Sequence, residues 1–537
     1  MKKLLTLFLL VAMAATSLKA TPILPQKGTY DCTVGNDKII LIAEEVSPEM
    51  VKGFFVPNEG KAAENTHSFM MTAKGSKWVI QSDLYSGSIK GTGNDNGFSG
   101  QISYFNKPKK LLFFYQKGNV TINRRINEAV QPSDRYRKEI FSNVDVTKDI
   151  RYGRALGYWT HNPYNNEPYV EVISKGINNT LIDPDSLDLK MDIYQPTGDT
   201  MSKRPLVLLI HGGAFYIGTK QCPTMKILAT TLAKRGYVVA CIDYRMGFKL
   251  RASDIERSGY RAVQDAHAAL RFLSHFAPKY KIDPDWVYVG GTSAGAIATL
   301  NLAFMDNNER PESVQSRKPS EDMGKIESSG NQYTDKFHLR GVANMWGAVT
   351  DINIIDKNDQ IPVLSIHGTA DDIVPYDYNY PFQSALLINR LLMNKMYGSK
   401  SVTDRLNSFG IKNKLVSFEG LKHEPQTDKF DHINYLMDTI SNNVTRFYYE
   451  LTTPEVVVPE KQLTITPGSP IVPIYTEINN GEFAGLEVVG GVKTSDDPNN
   501  LSIIWFKNNN SHQFTLMAKN QYNAWSVKTC PIKINGN

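Results

Sequence analysis

A chain of 537 residues that is 41% hydrophobic and 21% charged has a globular composition. Its length suits roughly three domains, and its composition excludes wholesale disorder, a collagen-like repeat and a multi-span membrane protein. The formal charge of +6 is inflated by Lys2, Lys3 and Lys19 in a leader without acids, and no basic block marks a nucleic-acid groove, so no nucleic-acid partner is expected.

The first segment reads as an address. Met1–Lys3 is basic and Leu4–Ala15 is almost wholly apolar. That run is the length of a signal-peptide core and falls short of the ~20 residues a spanning helix needs. Cleavage is expected after Ala20, with Ala14 or Ala15 as alternatives. Residues 1–20 are therefore a signal peptide, and the mature protein is expected to be secreted, periplasmic or cell-surface, with no transmembrane segment. In an exported chain Cys32, Cys222, Cys241 and Cys530 permit disulfides without requiring them. Cys241, inside an apolar strand pattern, reads as a buried free thiol. No Cys or His spacing resembles a metal site.

Residues 21–130 alternate as short strands, among them Lys38–Ala43, Met50–Val56, Ser68–Thr72, Trp78–Gln81 and Lys110–Tyr115. Turn clusters separate them, which predicts an antiparallel sandwich or small barrel. His67 is the region's one histidine and reads as a surface residue.

Residues 131–450 change texture. Strands are predicted at Pro205–His211, Tyr237–Tyr244, Trp286–Val289, Gly341–Met345, Pro362–Ile366 and Lys414–Phe418. Helices are predicted at Pro223–Arg235, Ile255–Phe276, Ala294–Met305, Phe382–Met396 and His432–Tyr449. Near-continuous apolar strands alternating with helices imply a mostly parallel sheet covered on both faces. Residues 307–335 are polar and read as a loop. Residues 451–537 open with a proline-bounded linker and continue as strands at Gln462–Ile465, Ile503–Phe506, Phe514–Ala518 and Trp525–Thr529, the pattern of a β-sandwich-like domain.

The chemistry gathers in the central region. Gly291-Thr292-Ser293-Ala294-Gly295 lies between a strand and a helix, the setting of a strained turn that exposes a nucleophilic serine. A serine hydroxyl is a poor nucleophile at neutral pH and needs an adjacent base. His423 follows the strand ending at Phe418, with His432 as its competitor. Asp371 follows the strand ending at Ile366, with Asp372 as its competitor. All lie beyond the carboxyl ends of predicted parallel strands, where open sheets bind ligands. In this reading His423 takes the Ser293 proton, and Asp371 fixes the imidazole tautomer. His211-Gly212-Gly213-Ala214-Phe215 follows another strand, and the N–H groups of Gly212, Gly213 and Ala294 are the candidate oxyanion donors. His211 reads as a loop-stabilising residue. Phe215, Tyr216, Tyr244 and Trp346 are candidate pocket residues.

These motifs, with Gly290–Ala296, His367–Pro375, Gly420–Glu424, Asp243-Tyr244-Arg245 and Ile282–Trp286, resemble the α/β-hydrolase superfamily. Its secreted carboxylesterases and hormone-sensitive-lipase-like esterases are the nearest groups, and the resemblance covers residues 185–445. It implies an α/β-hydrolase fold for the central region, while the strand patterns on either side, which carry no such resemblance, predict flanking N-terminal and C-terminal all-β domains. It also implies cleavage of carboxylic esters without a cofactor or metal, through a Ser293–Asp371–His423 triad. The substrate class is a small-molecule or polysaccharide-linked ester, and oligomeric state is left open. Ala214 departs from the usual third glycine of the loop. Thr292 and the acid Asp371 depart from the glutamates of type-B carboxylesterases. A serine peptidase of the prolyl-oligopeptidase type, which usually carries a large propeller before the hydrolase domain, and a non-catalytic binding protein are the alternatives.

Overall fold

The computed structural model describes residues 28–534 apart from 35–36, 48, 58–66, 75–76, 83–84, 95–96, 107–115, 125–129, 161–184, 250, 317–320, 385–388, 391–392, 429–431, 466–471, 496, 500 and 506–510. The leader and the strand predicted at Lys110–Tyr115 lie outside the described residues. The described chain forms two compact units. One holds Ser133–Thr453 and Asn520–Trp525; the other holds the remaining described residues.

In the second unit, eight antiparallel strands between Gly28 and Arg124 close into a barrel, the last pairing with the first. Two-residue alternation makes it possible: Lys77–Ser82 turns Trp78, Ile80 and Ser82 inward and intervening residues outward. The interior is packed by Tyr30, Leu41, Val51, Met71, Ile89 and Ile122 among others. About 10 Å³ of free space remains there, room for one water at most. Further along this unit, two three-stranded sheets share an apolar core that includes Leu486, Ile503, Phe514 and Leu516.

The first unit is built on eight strands: β1 Val144–Gly157, β2 Asp185–Pro196, β3 Arg204–Ile210, β4 Val238–Ile242, β5 Ile282–Thr292, β6 Leu339–Met345, β7 Val363–Gly368 and β8 Asn413–Phe418. Their order across the sheet is β8-β7-β6-β5-β3-β4-β2-β1. β3 to β8 are mutually parallel, whereas β2 runs antiparallel to β4 and to β1. Every residue of β3 and β4 is buried, as the continuous apolar pattern requires when both sheet faces are covered.

The longer helices among the described residues are α1 Pro223–Ala233, α2 Ala252–His275, α3 Ala294–Phe304, α4 Ser399–Ser408 and α5 Leu436–Thr452. Along β3, Leu206, Leu208 and Ile210 join one apolar cluster with α2, α3 and α4, and Val207 and Leu209 join another with α1 and α5. The sheet is therefore the middle of three layers.

Several boundaries differ from the sequence reading. Helix α5 begins at Leu436 rather than His432, because Ile433 and Asn434 are instead paired with the preceding segment, through the Thr427–Ile433 bridge and the Asn434 N–H to Gln426 carbonyl bond. Within the helix predicted over 382–396, Asn389 and Arg390 are helical and the Met393 N–H donates to the Asn389 carbonyl at 2.8 Å, whereas at its ends Phe382 sits in a turn at φ 52° and Met396–Gly398 is a short strand; 385–388 and 391–392 lie outside the described residues. Residues 520–525, assigned by sequence to the C-terminal region, belong to the three-layer unit. Tyr522 and Ala524 are buried there, and the Tyr522 hydroxyl donates to Asp283 at 2.9 Å. All four cysteines are free thiols, and Cys241 is fully buried in β4.

Candidate active site

The serine turn is tightly constrained. Ser293 joins β5 to α3 at φ 52° and ψ −119°, a conformation that L-residues seldom adopt. Its flanking glycines are required by close approach. A Cβ on Gly291 would stand 2.3 Å from the Gly295 backbone, and one on Gly295 would stand 2.1 Å from the Ile210 carbonyl oxygen. The turn holds the hydroxyl at the carboxyl edge of the sheet and at the N-terminus of α3.

His423 Nε2 lies 2.9 Å from Ser293 Oγ, and His423 Nδ1 lies 2.7 Å from Asp371 Oδ2. The structure thus brings together the three residues singled out from sequence. Their competitors are elsewhere engaged. The Asp372 carboxylate accepts from Lys422 Nζ at 3.0 Å. The His432 side chain is 77% exposed and pairs with Asp428.

Asp371 is held from several sides. Its Oδ1 accepts the Ile373 and Val374 N–H groups at 2.8 and 3.0 Å. Its Oδ2 also meets His367 Nε2 at 3.1 Å. Burial pushes the carboxyl up, but hydrogen bonds from His367 and His423 outweigh it and hold Asp371 well below the usual carboxylate range. The acid is therefore an anion at neutral pH, able to accept the imidazole N–H and stabilise an imidazolium.

His367 has no assigned role in the sequence reading, although it stands in the quoted motif four residues before Asp371. It is fully buried on β7, and its Nδ1 meets Ser399 Oγ at 2.8 Å. Ser399 in turn accepts from Asn344 Nδ2 at 3.0 Å, which also reaches Ser365 Oγ at 3.0 Å. This buried network spans β6, β7 and the start of α4. Satisfied polar networks of this kind fix one geometry, since any break strands a buried polar group.

The Gly212–Gly213 loop passes beside the serine. A Cβ on Gly212 would lie 3.1 Å from Ser293 Cβ. Gly213 has φ 111°, and a Cβ there would meet the Ile217 carbonyl oxygen at 1.9 Å. Ala214 and Phe215 follow at φ 53° and 58°. Ala214, standing where related loops carry glycine, thus holds a left-handed conformation at a cost of order 1 kcal/mol or more. His211 Nδ1 meets the Gly212 carbonyl at 2.7 Å and its ring stacks on Tyr244 at 4.5 Å. Burial drives its pKa down, so it stays neutral as a structural support.

Behind the loop, Asp243 accepts the Lys220 N–H at 2.7 Å and pairs with Lys220 Nζ at 3.2 Å. Arg245 pairs with the buried Asp265 of α2 at 2.7 Å. The Asp243-Tyr244-Arg245 motif therefore anchors the loop rather than touching the serine. Phe215 and Tyr216 line a cavity of about 400 Å³ that includes Ser293; Tyr244 and Trp346 are fully buried core residues. Among the described residues no group of His, Cys, Asp and Glu has the arrangement of a metal site, and no helix is long and apolar enough to cross a membrane.

A mostly parallel eight-stranded sheet in this order, with the serine after β5, the acid after β7 and the histidine after β8, defines an α/β-hydrolase fold carrying a Ser–His–Asp constellation. The BD-FAE family model matches residues 191–349. The chain is 26% identical over 309 residues to a probable isoprenylcysteine alpha-carbonyl methylesterase of Arabidopsis thaliana, covering 53% of this chain and 57% of that one. It is 34% identical over 117 residues to carboxylesterase 3B of Mus musculus, covering 21% of this chain and 20% of that one. Among solved structures it is similar to a truncated carbohydrate esterase from gut microbiota, at 18% identity and a TM-score of 0.38, covering 60% of this chain and 99% of that one. The chain spans about three fifths of the length of the plant methylesterases that head its curated relatives.

Proposed function

We propose that the protein is an exported carboxylic ester hydrolase that works through an acyl-enzyme on Ser293. The observation that carries this is the continuous chain from Ser293 Oγ to His423 at 2.9 Å and from His423 to Asp371 at 2.7 Å, set on a turn strained to φ 52°. His423 Nε2 accepts the serine proton as Oγ attacks the ester carbonyl carbon. The developing oxyanion meets the backbone N–H groups of Gly212, Gly213 and Ala294, the last at the positive end of α3. His423 then gives the proton to the departing alcohol oxygen, leaving the acyl group on Ser293. A water deprotonated by His423 attacks that acyl carbon, and the acid leaves as Ser293 is restored. Asp371 keeps the imidazole in the tautomer both half-reactions use and stabilises its charged form.

The curated relatives, named as methylesterases and a carboxylesterase, support ester hydrolysis. The basic and apolar leader, outside the described residues, supports export. Residues 28–124 close a single barrel, so the described part of that region lends nothing to the propeller-bearing peptidase alternative. The test is turnover of p-nitrophenyl esters by the purified chain and its His423→Ala and His432→Ala variants. Loss in the first variant and retention in the second is expected. The opposite ranking, or no ester turnover by the native chain, overturns the proposal.

A further inference from the structure

The cavity beside Ser293 has a direction. Its wall includes Ala294, Ile297, Ala298, Asn301 and Met305. The first four form one face of α3, with Met305 just past its end, and at 1.5 Å per residue they reach about 12 Å along the axis from the serine. The facing wall is Ile255, Gly259 and Val263 of α2, again one helical face, and the segment after Asp371 adds Phe382, Met393 and Met396. The polar side chains are few and mostly engaged by the protein, although among the described residues Asn389 Oδ1 is buried without a hydrogen-bond partner. Asn301 Nδ2 donates to the Ile297 carbonyl at 2.8 Å, Glu256 accepts from Ser313 at 2.5 Å, and Asn389 Nδ2 donates to the Pro381 carbonyl at 3.2 Å. What remains facing the space is mostly hydrocarbon.

The side of the ester that enters follows from the proton path. The alcohol oxygen must take its proton from His423 Nε2, so the alcohol leaves on the histidine side. The cavity wall comes from the loop after Gly213, from α2, α3 and the segments following β6 and β7, and His423 is not part of it. Resting on the esterase reading above, we propose that this cavity is the acyl pocket. The preferred substrates are esters whose acid part is an extended apolar group of about a dozen heavy atoms. The size follows from a cavity of about 400 Å³ and a share of about 30 Å³ for each water-sized group. Gly259 and Ala298 are the specificity-determining positions, because each leaves open space midway along the two helical walls.

The test uses the full chain and a p-nitrophenyl series from acetyl to decanoyl, with a second series, ethyl to octyl acetate, that lengthens only the alcohol. Each buried methylene is worth roughly fourfold in kcat/KM. The expected result is a rise of about a hundredfold or more from acetyl to decanoyl and no comparable rise with the alcohol. Gly259→Leu should lower the decanoyl-to-acetyl ratio by about tenfold or more. Leucine suits a helix interior better than glycine, and a Cβ at Gly259 would make only ordinary contact, 3.5 Å from the Phe215 ring. Ala298→Phe is the second variant, from the opposite wall. An acyl series that is flat in an active enzyme, a rise in the alcohol series, or an unchanged ratio in folded Gly259→Leu overturns the acyl pocket while leaving ester hydrolysis standing. No turnover of any ester overturns both.

Discussion

The barrel of residues 28–124 and the three-layer unit solve the problem of burial in opposite ways. The barrel interior is apolar and nearly full, with about 10 Å³ free. The three-layer unit buries Asp192, Lys220, Asp243, Arg245, Asp265, His367 and Asp371, and keeps a cavity of about 400 Å³ at Ser293. Burying charge is costly unless each group is paired and hydrogen-bonded. A fold that carries such groups at one sheet edge spends stability on geometry there, and the barrel does not. The difference sets the Ser293–His423–Asp371 constellation and its cavity in the three-layer unit.

The largest break in that comparison is Ser293→Ala. No other side chain stands in its place, and loss of a triad serine costs about 10⁶ in turnover in serine proteases. Ester turnover measured on folded variant should fall to background, and retained turnover would place the nucleophile elsewhere. Next is Asp371→Asn, expected to lower kcat by about 10⁴, since an amide favours the wrong imidazole tautomer. Asp372→Asn, whose carboxylate faces Lys422, should stay within about tenfold of native. A reversed order of the two variants would move the acid.

Two stability measurements sharpen the comparison. Asp265→Asn leaves the Arg245 guanidinium buried without its carboxylate and should cost about 3–5 kcal/mol in urea unfolding of the three-layer unit. A cost under about 1 kcal/mol would mean the pair is not what anchors the loop. In the barrel, Met71→Ala should cost about 2–5 kcal/mol through the space it opens. It should leave kcat/KM for a small ester unchanged in folded protein, and a drop would give the barrel a part in turnover. The smallest effect is in pH. Because the Asp371 pKa is depressed on folding, its contribution to stability is complete above the ordinary carboxylate value of about 4 and fades as pH falls toward the folded value. The stability gap between native and Asp371→Asn should therefore narrow from pH 6 to pH 3, and a widening gap would contradict the assigned sign.

Much of this was legible in the residues, for identifiable reasons. The serine turn, the acid and the histidine each follow an apolar strand, and glycine spacing marks the two places where backbones approach too closely for a Cβ. The barrel was legible only in part. Alternation marked the strands at Lys38–Ala43, Met50–Val56, Ser68–Thr72 and Trp78–Gln81, but not the glycine-rich ones at Tyr85–Asn94 and Gly97–Asn106 or the closing pair Gly28–Val34 and Gln116–Arg124, and it left sandwich and barrel open. β1 was not legible, because most of its side chains are exposed on an edge strand and it shows no apolar period. Helix α4 is short, with four buried residues in a polar sequence. The bracing of Asp371 by His367 depends on a turn that folds residue 371 back toward 367, which no periodicity encodes. The return of Tyr522 to Asp283 is a contact 239 residues apart and lies beyond local pattern altogether.

One measurement bears most directly on the central claim that Ser293 is the activated nucleophile. The native chain is treated with a fluorophosphonate at neutral pH and digested, and the modified peptide is located by mass spectrometry. The account predicts a single stoichiometric adduct on Ser293 that is lost in His423→Ala. An adduct confined to another residue, or none on the folded and ester-active protein, would contradict it.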